Sequence, residues 1–256
     1  MSPSTHAPSS GAAKSQTTDA LVLRATDYRD ADRVITLFTQ HFGKVSAIAR
    51  GARASKRRFA GTLEPYAVIR VELEPGRADL MTLKRAELVR TFPNILRDLS
   101  RMDVAGAALS LLREAHPARV ADQPMFIQAV QFLTLIDLEG DPERALLLGF
   151  ALRVLALSGL APRLDACGKS QQPVPEGRPA YFDPALGAVV SRRFGGGPFL
   201  LSARLRTRLM RAQSEDWLQV SREPWEQAEL QVARAAVAAF IEKHVDQATA
   251  NRLFSS

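Results

Sequence analysis

The chain has little cysteine and no long uninterrupted apolar run, and each shortage excludes a class of protein. Cys167 is the single cysteine among 256 residues, so an intramolecular disulfide is impossible and a reducing compartment is expected. The most apolar internal stretch, residues 145–157, contains Arg153 and is too short to cross a bilayer. No apolar stretch of signal-peptide length occurs near the N-terminus. We therefore expect a cytoplasmic protein with no membrane partner.

Signatures of common enzyme classes are also missing. The sequence contains no GxGxxG motif and no P-loop, since the glycine run at residues 195–197 is followed by Pro198 rather than by Lys and Ser or Thr. No HExxH pattern occurs, and no local signature marks a nucleophilic serine. We therefore expect a protein that is not an enzyme.

Positive charge is concentrated in a segment that lacks acidic residues. The net charge is +7, and residues 43–63, here called the basic segment, contain six Lys or Arg but no Asp or Glu. Val45, Ala47 and Ala49 would lie on one face of an extended chain, and the residues between them on the other face. This alternation predicts a strand, and the strand is followed by a basic loop. Such a loop suits a polyanion because each phosphate contact releases condensed counterions, although a solvated surface loop is the alternative. The six cations are Lys44, Arg50, Arg53, Lys56, Arg57 and Arg58.

The first third of the chain predicts a small barrel. Short β-type segments are separated by turns, and the fifth begins as a strand but could bend toward helix. Five short strands can close on themselves and remove their exposed edges, so an OB-fold barrel is the simplest architecture. The predicted strands are residues 20–26, 33–39, 45–50, 65–73 and 80–89.

After Phe92 and Pro93 the apolar spacing becomes helical, which makes the protein α+β. Predicted caps are Asp122, Asp141 and Ser202, with Gly159 ending the central, almost wholly apolar helix. A hairpin is expected between residues 180–182 and 188–190. The predicted helices are residues 94–115, 125–138, 142–158, a short one after Ser202, and 224–245.

These patterns divide the chain into successive regions. Residues 1–18 are rich in Ser, Thr, Pro and Ala and predict a disordered tail. Residues 19–90 form the barrel, and residues 91–250 form a mainly α-helical domain. A loop-and-hairpin insertion is expected at about residues 162–198, where Gly, Pro and Gln are frequent.

Four segments resemble the RecO family of bacterial recombination mediator proteins: RVITLFT, FGKVSAIARGAR, SKRRFAGTLEP and LKRAELVRTFP. The resemblance covers roughly residues 19–250. It implies an OB-fold followed by a helical domain, binding of single- and double-stranded DNA, and annealing of complementary strands. It also implies a partnership with RecR that helps to load RecA, contact with the acidic C-terminal tail of the single-stranded DNA-binding protein, and a bacterial, nucleoid-associated location.

The resemblance assigns DNA phosphate contacts, without base reading, to the six cations of the basic segment. Arg33 and Arg70 are weaker additions, because either could pair with a nearby Asp or Glu. Tyr28, Phe59 and Tyr66 could stack on bases, although packing or turn filling is the favoured alternative for each.

Many members of the family carry a four-cysteine zinc site, as two CxxC pairs, in a finger-like hairpin. Here the corresponding positions are Cys167 and Ser170, then Ser191 and Phe194, so three of four thiolate ligands are missing. We therefore expect no cofactor and a degenerate zinc-finger-like insertion. Packing would then hold the hairpin, through Tyr181, Phe182 and Phe194.

A second region without acidic residues spans residues 184–214. Arg204, Arg208 and Arg211 share one helical face by their spacing, and Arg153 on the central helix could join them. Such a face could receive an acidic peptide with a hydrophobic end, which makes it a candidate partner-tail site. A solvated helix face is the alternative.

Two other functions fit the same sequence. The protein could be an interaction adaptor whose basic surfaces bind acidic protein tails and whose DNA contact is incidental. It could also be an RNA-binding OB-fold protein, because backbone contacts distinguish the two sugars poorly. Loss of binding on reversing the charges at residues 50–58 would separate a nucleic-acid surface from the adaptor.

Overall fold

The computed structural model describes residues 15–55, 57–59, 61–76, 79–138, 144–214 and 216–254. Its N-terminal part is the closed five-stranded barrel that the sequence predicts. The strands are β1 (Gln16–Tyr28), β2 (Asp32–Thr39), β3 (Gly43–Ala49), β4 (Ala67–Glu74) and β5 (Leu80–Thr91). They pair in the order β1-β2-β3-β5-β4, and β4 closes the barrel by pairing with β1. Only the β3–β5 contact is parallel among these pairings.

Two boundaries differ from the sequence prediction. β1 begins at Gln16, inside the predicted tail, because Thr18 pairs with Val71 of β4 and is only 3% exposed. Residues 1–14 lie outside the described part. β5 stays a strand to its end, because its pairing with β4 continues to Thr91 and leaves no residues free to turn helical.

Strand β1 is buried on both faces. Ala20 and Val22 point into the barrel core, whereas Leu21 and Leu23 point outward into the core of the helical domain. Phe38 of β2 joins the helical core from the same side. The barrel and the helices are therefore joined by a continuous apolar contact.

The helical domain begins with α1 (Leu99–Ala115), α2 (Gln123–Leu138) and α3 (Arg144–Leu157). α1 starts later than predicted because Asp98 caps it, accepting a hydrogen bond from the Arg101 amide, after a short 3-10 turn. The predicted cap of α2 is confirmed, since Asp122 Oδ1 accepts from the Met125 amide at 2.9 Å. Gly159 follows α3 at φ 75°, as expected of a helix-ending glycine. The predicted Asp141 cap lies outside the described residues.

A small mixed sheet follows α3. Its strands are β6 (Arg163–Cys167), β7 (Ala180–Asp183), β8 (Ala188–Val190) and β9 (Phe199–Leu201), in the order β6-β8-β7-β9. The predicted hairpin is the antiparallel β7–β8 pair. The sequence did not indicate β6 and β9, which widen the hairpin into a sheet.

The chain ends in α4 (Ala203–Ala212), α5 (Trp217–Arg222), α6 (Gln227–His244) and α7 (Gln247–Phe254). Ser202 caps α4 as predicted, accepting from the Leu205 amide at 3.0 Å. α3 lies at the centre, packed against α1, α2, α4, α5 and α6. Among the helices within the described ranges, none is long and apolar enough to cross a membrane.

A buried arginine fastens the small sheet to α4. Arg206 is 2% exposed, and its guanidinium donates to the carbonyls of Leu164 at 2.8 Å and Pro175 at 2.7 Å, with longer bonds to Val174 and Arg178.

The aromatic packing predicted for the hairpin is only partly correct, since Phe182 is buried against Phe240 but Phe194 is 39% exposed.

Candidate nucleic-acid interface

The basic segment continues from β3 into a loop that is attached to the turn between β1 and β2. The backbone amide of Gly51 donates to Asp32 Oδ1 at 2.8 Å, and the amide of Arg53 donates to the Ala31 carbonyl at 3.1 Å. Gly51 adopts φ 66°, which reverses the chain direction directly after the strand. These bonds place the basic loop beside the end of β1.

Three arginines of this loop point into solvent, namely Arg50, Arg57 and Arg58. Beneath them Phe59 and Leu63 are buried in the barrel core, which anchors the loop. Arg58 Nη2 donates to the Arg50 carbonyl at 3.0 Å, and its guanidinium lies 5.1 Å from the centre of the Phe59 ring. None of the three forms an ion pair with a residue that the structure describes. Their charges are therefore available to a ligand.

Two other candidates are neutralised by carboxylates that lie outside the basic segment or at its edge. Arg33 Nε is 2.8 Å from Asp27, and Arg33 Nη1 is 2.7 Å from Glu64. Arg53 Nε lies 3.9 Å from Asp27. The hydrogen bond from Arg33 lowers the pKa of Asp27, so this carboxylate keeps its negative charge. Lys56 lies outside the described residues.

Lys44 and Arg70 lie apart from the loop. Lys44 Nζ donates to the Arg113 carbonyl at the end of α1, and burial lowers the pKa of Lys44. Arg70 Nε is 2.8 Å from Asp19, in the neighbouring strand. The structure therefore does not bring these two cations together with the three free arginines, and their phosphate contacts stay predictions.

The three aromatic candidates differ in exposure. Phe59 is buried, whereas Tyr66 is half-buried with its hydroxyl 3.4 Å from the Met102 carbonyl, so base stacking by Tyr66 stays a prediction. Tyr28 is 42% exposed at the end of β1, with the Arg29 guanidinium 5.1 Å from the centre of its ring. Arg29 does not stand out in the sequence, because three of the residues around it in the turn are Asp. Tyr28 and Arg29 extend the exposed surface beside the basic loop.

The second basic region is paired internally. Arg204 lies 3.2 Å from Glu226, Arg208 lies 3.3 Å from Glu223, and Arg211 lies 2.7 Å from the same Glu223. Glu223 directly follows α5 and Glu226 directly precedes α6, so the connection between these two helices brings both carboxylates to the arginines of α4. A binding role for the three arginines would require an acidic partner to compete with these pairs.

Arg153, the fourth candidate for a partner tail, has only neutral partners among the described residues. Its Nε donates to Gln128 Oε1 and its Nη1 donates to the Gln213 carbonyl, both at 3.0 Å. Its charge is thus satisfied by hydrogen bonds rather than by an ion pair. The role of Arg153 in binding a tail stays a prediction.

Cys167 lies where the family zinc site would be, but its surroundings do not fit a zinc ion. Its Sγ accepts hydrogen bonds from the backbone amide and hydroxyl of Ser191, at 3.4 and 3.3 Å. Burial raises the pKa of the thiol, but contacts with Ser170 and Ser191 outweigh it and bring the pKa to about 6. One thiol and two hydroxyls do not make a tetrahedral zinc site. No cluster of three or more His, Cys, Asp or Glu that could hold a metal occurs in the described ranges.

Comparisons with known proteins agree with this architecture. Residues 14–92 match the family model described as Recombination protein O N terminal, and residues 96–252 match Recombination protein O C terminal. The DNA repair protein RecO of Anaeromyxobacter sp. (strain K) is 39% identical over 238 residues, which are 91% of this chain and 93% of that protein. The DNA repair protein RecO of Myxococcus xanthus (strain DK1622) is 39% identical over 178 residues, 69% of this chain and 71% of that protein. The chain therefore belongs to the RecO family of DNA repair proteins.

Proposed function

We propose that this protein binds single- and double-stranded DNA through the basic loop and anneals complementary strands during recombinational repair. The observation that carries the proposal is the group of three exposed arginines, Arg50, Arg57 and Arg58, without an acidic partner among the described residues. Arginine forms charge-assisted hydrogen bonds to phosphate, and none of these contacts requires a particular base. Family membership makes DNA the expected polyanion.

Annealing follows from charge neutralisation rather than from covalent chemistry. Two single strands repel each other through their phosphates, and a basic surface that holds both lowers this repulsion. Tyr28 can stack on an unpaired base, which would favour the single strand over a fully paired duplex at the same surface. The protein acts here as a binding protein and not as an enzyme.

We assign the partners that the family resemblance implies to the same process. In the bacterial cytoplasm the protein would act with RecR to help load RecA on DNA covered by the single-stranded DNA-binding protein. Contact with the acidic tail of that protein belongs to this proposal. The adaptor alternative has less support, because three of its four arginines already pair with internal carboxylates.

The test is the salt dependence of single-stranded DNA binding in the wild type and in the double variant Arg57→Glu/Arg58→Glu. The slope of log affinity against log salt is roughly −0.7 for each phosphate contacted, so losing two contacts flattens it by roughly 1.4. Arg97→Glu/Arg144→Glu is the matched control, since it changes the net charge equally at exposed arginines of the helical domain. Equal slopes in the wild type and the loop variant would reject the assigned surface.

A further inference from the structure

A cleft of about 590 Å³ separates the barrel from α1 and α7. Its walls include Leu23 of β1, Tyr66 before β4, and Met102 and Leu109 of α1. Gly106 lies between the two α1 residues, and a side chain there would approach the Tyr66 hydroxyl, so the glycine keeps the cleft open. The cleft therefore has an apolar floor.

Two guanidinium groups converge at the end of the cleft formed by α1 and α7. Arg252 Nη1 donates to Ser110 Oγ at 3.0 Å, and Arg113 Nη2 donates to the same oxygen at 3.2 Å. Ser110 is only 2% exposed, so a buried hydroxyl holds both cations in place. Arg113 also pairs with Glu114 at 2.7 Å. Arg252 has no carboxylate at ion-pair distance among the described residues.

Like charges that meet at one neutral oxygen repel each other unless an anion joins them. Arg24 adds a third cation on the barrel wall of the same cleft, and no described residue pairs with it. Asp103 is the one carboxylate among the cleft-lining residues, and it lies ten residues from Arg113 along α1. At the end of the cleft near Arg113 and Arg252, Glu114 offsets the charge of Arg113, and Asp246 interacts electrostatically with Arg252 from beyond ion-pair distance. Arg24 is therefore the cleft arginine that has no carboxylate partner among the described residues.

The position of Arg24 connects this cleft with the basic loop. Arg24 and Tyr28 are both exposed on β1 and lie four positions apart, or about 13 Å along a strand. Thr26 between them is also exposed, and Asp27, the one acidic residue between positions 24 and 28, is paired with Arg33 and Arg53. A bound strand could follow β1 from the basic loop to the cleft.

From this geometry we infer that the cleft is a second phosphate site, in which Arg24 and Arg252 hold the backbone of a single strand that extends from the basic loop along β1. The inference rests on the proposed DNA binding and lengthens its surface. The exposed side chains of β1, from Arg24 to Tyr28, connect the cleft with the basic loop. We therefore favour a nucleic acid, which can contact both places, over an acidic peptide.

The experiment compares two oligothymidylates, about 5 and about 20 nucleotides long, chosen around the range of OB-fold site sizes. Salt dependence of binding is measured for the wild type, for Arg24→Gln/Arg252→Gln, and for the control Arg97→Gln/Arg144→Gln, which removes the same charge elsewhere. Both cleft arginines are exposed, and the thermal unfolding midpoint checks that the variant folds. For the long strand we expect a slope flatter by roughly 1.4 in the cleft variant only. For the short strand we expect no change.

Each other outcome has a definite meaning. An unchanged slope for the long strand, with binding still weakened by Arg57→Glu/Arg58→Glu, overturns the cleft site and leaves the proposed function standing. If the cleft variant flattens the salt dependence equally for both oligonucleotide lengths, the proposed path from the basic loop along β1 to the cleft is wrong. If the cleft variant instead loses binding of an acidic peptide and keeps DNA binding, the cleft is a peptide site. Wild-type binding without a salt dependence rejects the proposed function, and the inference falls with it.

Discussion

His116 Nε2 lies 3.3 Å from Asp122 Oδ2, in the loop that joins α1 to α2. The other oxygen of Asp122 caps α2 by accepting from the Met125 amide. The His116 ring is buried and meets the ring of Phe38 edge-on, with 4.9 Å between their centres. The Asp122 carboxylate thus stabilises the start of α2, and it also holds the His116 side chain, which connects this loop to the barrel.

Asp122→Ala should therefore cost more than the loss of a helix cap alone. A missing cap costs about 1 kcal/mol, and leaving a buried polar group unpaired adds about 1–3 kcal/mol. Asp98→Ala is the matched control, because Asp98 caps α1 but is about half exposed. Chemical denaturation measures both, and equal destabilisation would show that the His116 contact contributes nothing.

Gly43→Ala should weaken the contact between the same loop and the barrel. Gly43 adopts φ 63°, and a Cβ there would lie 1.9 Å from the Val120 carbonyl oxygen, so the loop must move. Gly61 has nearly the same φ, 66°, and apart from its chain neighbours no atom of the described residues lies within 4 Å of the added carbon. Gly61→Ala should cost only the backbone strain, about 1–2 kcal/mol, and Gly43→Ala distinctly more. Similar unfolding midpoints for the two variants would contradict the close approach.

Arg206→Met should destabilise the small sheet. The variant removes the donor from the buried Leu164 carbonyl, and a buried acceptor left unpaired costs about 1–3 kcal/mol. It also removes the donor from the carbonyl of the exposed Pro175. Arg204→Met, two residues earlier on α4, removes an exposed guanidinium from its ion pairs with Glu226 and Glu229 and should cost about 1 kcal/mol or less. Hydrogen exchange at the β6 and β7 amides would locate the effect, and protection equal to that of the wild type would refute it.

The Cys167 thiol should titrate near pH 6 in the folded protein and near its ordinary pKa of about 8.5 after unfolding. Because folding lowers this pKa, the stabilisation is fully present above about pH 8.5 and is lost as the pH falls through 6. As the protein has one cysteine, the ultraviolet absorbance of the thiolate reports this group alone. Ser191→Ala should move the titration upward. A folded-state midpoint near 8.5 would contradict the hydrogen-bonded thiolate.

The barrel could be predicted from the sequence because the alternation of side chains that marks a strand is visible within each short segment. In β3, side chains alternate between buried and half-buried as the spacing of Val45, Ala47 and Ala49 indicated. β6 and β9 were missed because each is short and is stabilised by partners distant in sequence, such as Val189 for Cys167 and Ala180 for Leu201. Their strand character comes from tertiary pairing rather than from composition.

The charged sites were harder to predict, because the carboxylates that pair with the arginines lie outside the basic segments in which those arginines occur. Residues 184–214 have no acidic residue, yet Glu223, Glu226 and Glu229 reach their arginines from the segment that follows. Likewise, Arg33 pairs with Glu64 across 31 positions. A run of cations in sequence therefore shows free charge only where the fold brings no carboxylate to it.

The two-sided burial of β1 has a consequence for how the molecule unfolds. Cutting the chain between barrel and helices would leave Leu21 and Leu23 facing water on one fragment and their apolar contacts empty on the other. Neither fragment could therefore keep the stability that it has in the whole protein, and the two family modules should melt together in one transition. A substitution in a surface loop would leave this contact intact. A substitution at Leu21 or Leu23 would instead require a compensating change in the helical core that contacts them.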